Sequence, residues 1–424
     1  MPDMPSGSQS PSAAGDRTPT LWRHADFMKL WVGQTISRCG SALSRLALPL
    51  IAALTLNVTP AEMGLLAAVD TAPSLLVGLF AGVWVDRYRR RMLLIAGDVG
   101  RALLLATIPV AASLGLLSIV QLYVTGFLSG VLTVFFDVAS RSYVPTVLDR
   151  HQLVEGNSKL ALSGSITAVA GPSLAGLVIQ AITAPVAIVL DAVSYLASAL
   201  CVFLIGRREE APQTSQGPLL AQVREGLGVV LRNPILRAFA GCLATSNFTA
   251  SAFFALYILF GIRALGLNAA TLGLVYGIGA SGALGAAVLA PWVTARLGVG
   301  RAVLVGAFLG SLEVLPVVFA MPSTAVPLLV LSSLLGNFGW VLYNVNETSV
   351  RQAVTPMALQ GRMNATFRFL VSGMLPLGAL AGGVAGEVLG LRETITLAAI
   401  GSLLSCLWVV CSPVRALARL PEAV

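Results

Sequence analysis

"GVWVDRYRRR", residues 82 to 91, puts one carboxylate and four arginines into ten positions. The flanking stretches "LLAAVDTAPSLLVGLFA" and "MLLIAG" are almost wholly apolar. The chain as a whole is only 11% charged. Charge concentrated between two apolar runs reads as a turn between two helices that cross a membrane, lying on the side where Lys and Arg gather.

The rest of the composition agrees. Of 424 residues, 56% are hydrophobic, and the mean hydropathy is +0.84. A soluble globule is about 45–50% apolar and about 25% charged, so the solvent here is lipid. The opening "MPDMPSGSQSPSAAGDRTPT" is polar and rich in Pro, Ser and Gly. It does not read as a secretory signal, and residues 1–26 are expected to be a disordered cytoplasmic tail. Cys39, Cys201, Cys242, Cys406 and Cys411 fall in apolar runs without CxxC spacing, and His24 and His151 stand alone. Small buried hydrophobes are expected from the cysteines, and no metal site.

A helix needs about 20 mainly apolar residues to cross the hydrocarbon core. Twelve segments qualify, near 30–55, 63–84, 92–112, 117–138, 157–180, 185–206, 237–261, 270–293, 301–320, 325–347, 364–386 and 392–412. Backbone groups in lipid must be satisfied within the segment, which makes these helices. Arg87, Arg89, Arg90, Arg91, Arg141, Arg150, Lys159, Arg207, Arg208, Arg224, Arg232, Arg296, Arg301, Arg351 and Arg362 lie after even-numbered spans. The opposite connections "NVTPAE", "ASLGLL", "QAITAP" and "AMPSTAV" have no Lys or Arg; Arg263 and Arg392 alone break the pattern. Both termini are therefore expected in the cytoplasm. The net charge of +8 follows membrane topology, and nucleic acid is not an expected partner.

The order is six spans (27–206), a linker (207–234), six spans (235–412) and a cytoplasmic tail (413–424). Within the linker, "LLAQVREGLGVVLR" has the spacing of an amphipathic surface helix. The halves repeat. At an offset of 207, "FFDV" (135–138) falls on "LYNV" (342–345), Asn157 on Asn364, Gly171 on Gly378 and Gly176 on Gly383. Two related halves around a midplane site is a transporter plan.

On these residues the chain resembles the major facilitator superfamily. "GVWVDRYRRR" matches that superfamily's loop between helices 2 and 3, with Gly82, Asp86, Arg87, Arg90 and Arg91 in register and Arg89 where a small residue is usual. "AGPSLAG" (170–176) is similar to the Gly-Pro motif of drug antiporters. "DVGRALLL", "DVASRSYVPTVLDRHQLVEGN" and "LYNVNETSVRQAVTPMALQGRMNAT" resemble the enterobactin-exporter and macrolide-efflux branch. The resemblance implies an all-α membrane protein of the major facilitator fold, with twelve transmembrane helices in two six-helix halves.

It also implies a cytoplasmic gate in which Asp86 meets the positive N-terminal end of helix 11. Arg90 then pairs with Asp86 or with Asp137 at the end of helix 4. In helix 5, Gly164, Gly171 and Gly176 remove bulk and Pro172 frees a carbonyl, which the resemblance ties to export and sealing. Arg38 and Arg45, seven apart in span 1, and Asp70 in span 2 are ionisable groups inside the membrane, and such groups usually face a cavity. An Arg45–Asp70 pair is expected, serving proton coupling, substrate recognition or structural neutralisation. Relatives often carry an acid in helix 1 where this chain has Ser41, which leaves Asp70 as the best proton carrier. Asp191 and Glu313 fall in spans that this fold places at the periphery.

Spans 7 and 10 offer Asn247, Phe253, Phe254, Tyr257, Asn337, Trp340, Tyr343, Asn344 and Glu347 as a mixed aromatic and amide lining for a bulky, partly polar molecule. "GIGASG" (277–282) satisfies GxGxxG but sits within span 8, so helix packing explains it better than a dinucleotide. The sequence has no HExxH, Walker loop or nucleophile elbow, so no enzyme activity and no cofactor are expected. The expected function is proton-coupled export of small amphipathic molecules such as an antibiotic, drug or secondary metabolite. The expected form is a monomer in a bacterial plasma membrane. The alternatives are a siderophore or lysophospholipid exporter or flippase, a non-transporting membrane sensor, or an intramembrane enzyme.

Overall fold

The computed structural model describes residues 21–207, 209 and 227–419. All regular structure among them is helical, in twelve passes. The first half contains α1 (Ala25–Leu54), α2 (Pro60–Leu76, continued by Gly78–Val85), α3 (Arg90–Ser113), α4 (Ile119–Val147), α5 (Leu153–Ile182) and α6 (Ala184–Phe203). The second contains α7 (Pro234–Arg263), α8 (Ala269–Leu297), α9 (Val299–Ser311, then Leu315–Val318) and α10 (Ala325–Ala353). It ends with α11 (Met357–Ser372, then Met374–Val388) and α12 (Leu391–Ser405, then Leu407–Val410). Ten passes are individually long and apolar enough to cross a membrane. The other two are α1, whose apolarity is lowered by Arg38 and Arg45, and α2, broken at Val77 four residues after Pro73.

The breaks in α2, α9, α11 and α12 were not visible as interruptions of hydropathy. At the α11 break, Asn247 Nδ2 donates to the Val371 carbonyl at 3.0 Å and Ser251 Oγ to the Leu375 carbonyl at 2.6 Å. Neighbouring α7 thus satisfies backbone groups beside the interruption, as lipid requires.

The repeat found in sequence has a counterpart in packing. A Cβ built on Gly176 of α5 would come within 2.9 Å of Gly273 Cα in α8, and one on Gly383 of α11 within 2.7 Å of Gly64 Cα in α2. These two helix crossings join the halves near the end of the molecule opposite Leu21 and Arg419, where the described chain begins and stops. At that same end Arg263 donates to the Val58 carbonyl at 2.8 Å, and Arg392 to the Val318 and Ala320 carbonyls at 2.6 and 2.7 Å. The two arginines that broke the charge pattern therefore tie down loop and helix-end carbonyls. Within α8, Gly277, Gly279 and Gly282 of the GxGxxG stretch face Ser173 of α5 and Ser333 and Leu334 of α10.

The segments flanking the bundles differ from the expected tails. Leu21–Arg23 forms a 3-10 turn with Leu21 buried, and His24 Nδ1 accepts from the Phe27 N–H to cap α1. Those residues belong to the folded half, because Leu21 joins an apolar cluster with Phe27, Leu30 and Tyr143. Residues 1–20 and most of the expected amphipathic helix lie outside the described residues, although 227–232 is helical. After α12, Pro413–Ala416 forms a second 3-10 turn, and the Leu417 carbonyl accepts from the Gly300 N–H at the start of α9 at 2.8 Å.

Candidate transport cavity and gate

Between the halves lies a cavity of about 1020 Å³. Of the residues singled out in sequence, Arg38, Arg45, Asp70, Asp137, Asn247, Phe254, Asn337, Trp340 and Tyr343 line it. Phe253 and Tyr257 are 1% and 2% exposed and meet edge to face behind the wall, with centroids 5.1 Å apart. Asn344 is not on the wall. Glu347 is buried one turn below and pairs with Arg351 at 3.4 Å. Helical spacing was enough to place residues in these helices, but not to choose the face that neighbouring helices leave open.

The expected Arg45–Asp70 ion pair does not form. Both side chains line the cavity, and Arg45 Nε instead donates to the Ser41 carbonyl one turn back at 3.4 Å. Arg38 donates to the Leu160 carbonyl of α5 at 2.9 Å, and Gly164 leaves the space its guanidinium occupies: a Cβ there would lie 2.6 Å from Nη1. Gly171 meets the Ala42 Cβ of α1, and α5 continues as a helix through Pro172.

The charge centre that sequence reading passed over is Asp98 with Arg101. The "DVGRALLL" stretch carries them three residues apart on α3, both buried and paired. Arg101 sits between two rings, its Cζ 4.3 Å from the Phe136 centroid and 4.2 Å from that of Tyr195. An acid and a base three apart inside an apolar span was the available signal. Asp191 of α6, 0% exposed, accepts from Ser194 at 3.1 Å and reaches the cavity wall, as does Glu313 of α9. The spans of these two acids lie at the periphery, but their side chains reach the cavity all the same.

At the end where Leu21 and Arg419 lie, the "GVWVDRYRRR" turn joins the second piece of α2 to α3. The Arg90 guanidinium pairs with neither Asp86 nor Asp137. Its partner is Glu209 at 3.8 Å, whose carboxylate also accepts from the Arg90 and Arg91 N–H groups at 2.9 and 3.2 Å. Glu209 outcompetes the expected partners because it reaches the positive N-terminal end of α3 as well as the guanidinium. Arg91 donates to the Phe203 carbonyl. Arg207 pairs with Asp149 at 3.0 Å, and this holds the Asp149 carboxyl below its ordinary value. The Asp86 carboxylate and the exposed Arg87 make no side-chain hydrogen bond or ion pair among the described residues, and nothing lies within 4 Å of a Cβ placed on Gly82 or Gly361. The turn and the start of α11 are thus not packed together, while the opposite ends of α2 and α11 are.

A helical bundle of two repeated halves, sealed at one end around a cavity lined by apolar surface with polar groups set into it, defines a membrane carrier. The model of the Major Facilitator Superfamily matches residues 30–379, and the chain belongs to that superfamily. It is similar to the multidrug efflux pump Tap of Mycolicibacterium fortuitum, 27% identical over 372 residues covering 84% of this chain and 88% of Tap. It also matches the uncharacterized transporter YfiS of Bacillus subtilis, 25% identical over 227 residues, 51% of this chain and only 52% of that protein. Among solved structures, a bacterial homologue of the iron transporter ferroportin in its inward-facing state gives a TM-score of 0.74 at 16% identity, covering 91% and 98% of the two chains. The nucleoside transporter NupG gives 0.70 at 13%, covering 91% and 98%. The protein is a multi-pass membrane transporter of small molecules and not an enzyme.

Proposed function

We propose that this carrier is a monomeric exporter in the bacterial plasma membrane. It would move small amphipathic organic molecules outward in exchange for protons, with both termini in the cytoplasm. The observation that carries the reading is the cavity wall, where Phe254, Trp340 and Tyr343 share a surface with Asn247, Asn337 and the ionisable groups of the first half. Apolar surface with a few placed polar groups suits a bulky, partly polar molecule. The similarity to Tap supports export of drug-like molecules.

In this reading the packed end is extracellular and the arrangement is cytoplasm-open. Asp86 without a partner fits that state; its pairing with the N-terminal end of α11 belongs to the closed state. Asp70, exposed to the cavity and free of an ion pair, is the candidate proton carrier. Everted vesicles energised by a pH gradient should export an amphipathic dye, and Asp70→Asn should abolish uphill export while leaving downhill exchange. Export unaffected by collapsing the gradient would remove proton coupling. A cysteine in "NVTPAE" should label with an impermeant thiol reagent from outside, and one beside Arg89 should not; equal labelling would overturn the orientation.

A further inference from the structure

Glu313 belongs to a helix at the outside of the bundle, yet its side chain reaches the cavity. It does so because α9 lies almost backbone to backbone on α10. A Cβ on Gly339 would come within 2.6 Å of Gly310 Cα, and one on Gly336 would lie 2.6 Å from Glu313 Oε2. The missing side chain of Gly336 is the space the carboxylate fills. Glu313 also sits at the break of α9, between Ser311 and Leu315, where the helix stops before the carboxylate can be covered.

Its carboxylate makes no hydrogen bond or ion pair among the described residues. The titratable side chains nearest it are Tyr257 of α7 and Tyr276 of α8. The α10 wall beside it contributes Ser333 and no charge. From α12, Arg392 is engaged by the Val318 and Ala320 carbonyls at the helix end. A carboxylate in apolar surroundings is either neutral or matched by a cation. No Lys or Arg among the described residues pairs with Glu313, whereas Asp98 has Arg101. Phe254, Tyr276 and Trp340 on the same side supply ring faces, which attract positive charge.

We infer that Glu313 receives the positive charge of an amphipathic organic cation and carries a proton when that cation is absent. This inference rests on the export reading and names its substrate class. Binding converts the Glu313 carboxylic acid and a free organic cation into a carboxylate–cation pair plus one released proton, so charge and atoms balance.

The probe is tetraphenylphosphonium, bound to the full-length protein in nanodiscs, with Nile red as a neutral amphipathic control. Wild type should release a proton on binding tetraphenylphosphonium in weak buffer, and its affinity should fall as pH falls and Glu313 is protonated. E313Q should weaken tetraphenylphosphonium by more than about tenfold, abolish proton release and leave Nile red binding unchanged. Should E313Q not fold, E313D and the wild-type pH profile carry the test: E313D should keep the proton release. Unchanged affinity in folded E313Q, equal loss of Nile red, or a wild-type affinity independent of pH would each overturn the inference. Gradient-driven export of Nile red by a protein that does not bind tetraphenylphosphonium would overturn this inference and leave the export reading standing. Tetraphenylphosphonium binding with proton release but no export of any dye would do the reverse.

Discussion

Helices α3 and α9 hold equivalent places in the two halves, starting at Arg90 and Val299, and they fill the space behind the cavity by opposite means. At that spacing Gly97 corresponds to Gly306, and they face Phe136 and Tyr343, aromatic residues that correspond at the 207 offset of the sequence repeat. A Cβ on Gly97 would find its nearest neighbour at 3.6 Å, ordinary contact, whereas one on Gly306 would come within 2.9 Å of Tyr343 Cα. Where α3 then places Arg101 against the Phe136 ring, α9 has Gly310 against Gly339. One helix keeps its distance and fills the gap with a paired charge. The other closes the gap with backbone and sends a lone carboxylate through. A repeated chain path can therefore hold unlike chemistry on its two sides.

The largest test of that contrast is Arg101→Ala. It leaves Asp98 buried without a cation, which costs about 3–5 kcal/mol, and strips two rings of their partner. Thermal unfolding of the purified protein should show a large loss, with partial recovery when Asp98→Asn is added. A loss below about 1 kcal/mol would mean that α3 does not depend on its ion pair.

Next come the glycines. Gly339→Ala drives a methyl into the Gly310 backbone and should cost about 1–3 kcal/mol. Gly97→Ala meets only ordinary contacts and gains helix propensity, so it should be neutral or stabilising by up to about 1 kcal/mol. Equal losses from the two would erase the distinction between a backbone contact and a side-chain contact.

The smallest effects concern the turns that precede the two helices. Glu209→Gln removes the charge at the N-terminal end of α3 and should cost about 0.3–1 kcal/mol, less in high salt. The corresponding α9 donor is met by a neutral carbonyl, so removing residues 413–424 should cost stability without salt dependence. Asp86→Asn should leave the open state untouched and raise its population by about two- to fivefold, the equivalent of about 0.3–1 kcal/mol in the closed state. Distances across the cytoplasmic mouth would measure it. Ala295 occupies the matching place before α9, so the second half offers no acid of its own for a similar latch.

These contrasts also mark how far the sequence could be read. The twelve passes are legible because a lipid-spanning helix must be apolar over its whole length, and one residue more or less does not hide that. Arg38, Arg45 and Asp70 announce a cavity because charge in an apolar span needs one. Their partners are not legible: Arg90 meets Glu209, 119 residues further on, and nothing local distinguishes that acid from Asp86. Asp98 and Arg101 are visible as a spaced pair, but their spacing does not show that the rings of Phe136 and Tyr195 enclose Arg101. Glu313 was hidden for another reason. Its access to the cavity depends on how closely α9 and α10 approach, and that is set by glycines in two separate segments.

The caps of the two turns have a consequence for the order in which the protein is made. Glu209 closes the start of α3 from just past α6, and Leu417 closes the start of α9 from just past α12. Each half is completed by the last residues of its own stretch of chain. With synthesis running from the N-terminus and domains folding as units, the first half can close its own end before the second leaves the ribosome. The second half waits for Leu417, and chains cut short before it would carry a finished first half beside an unfinished second.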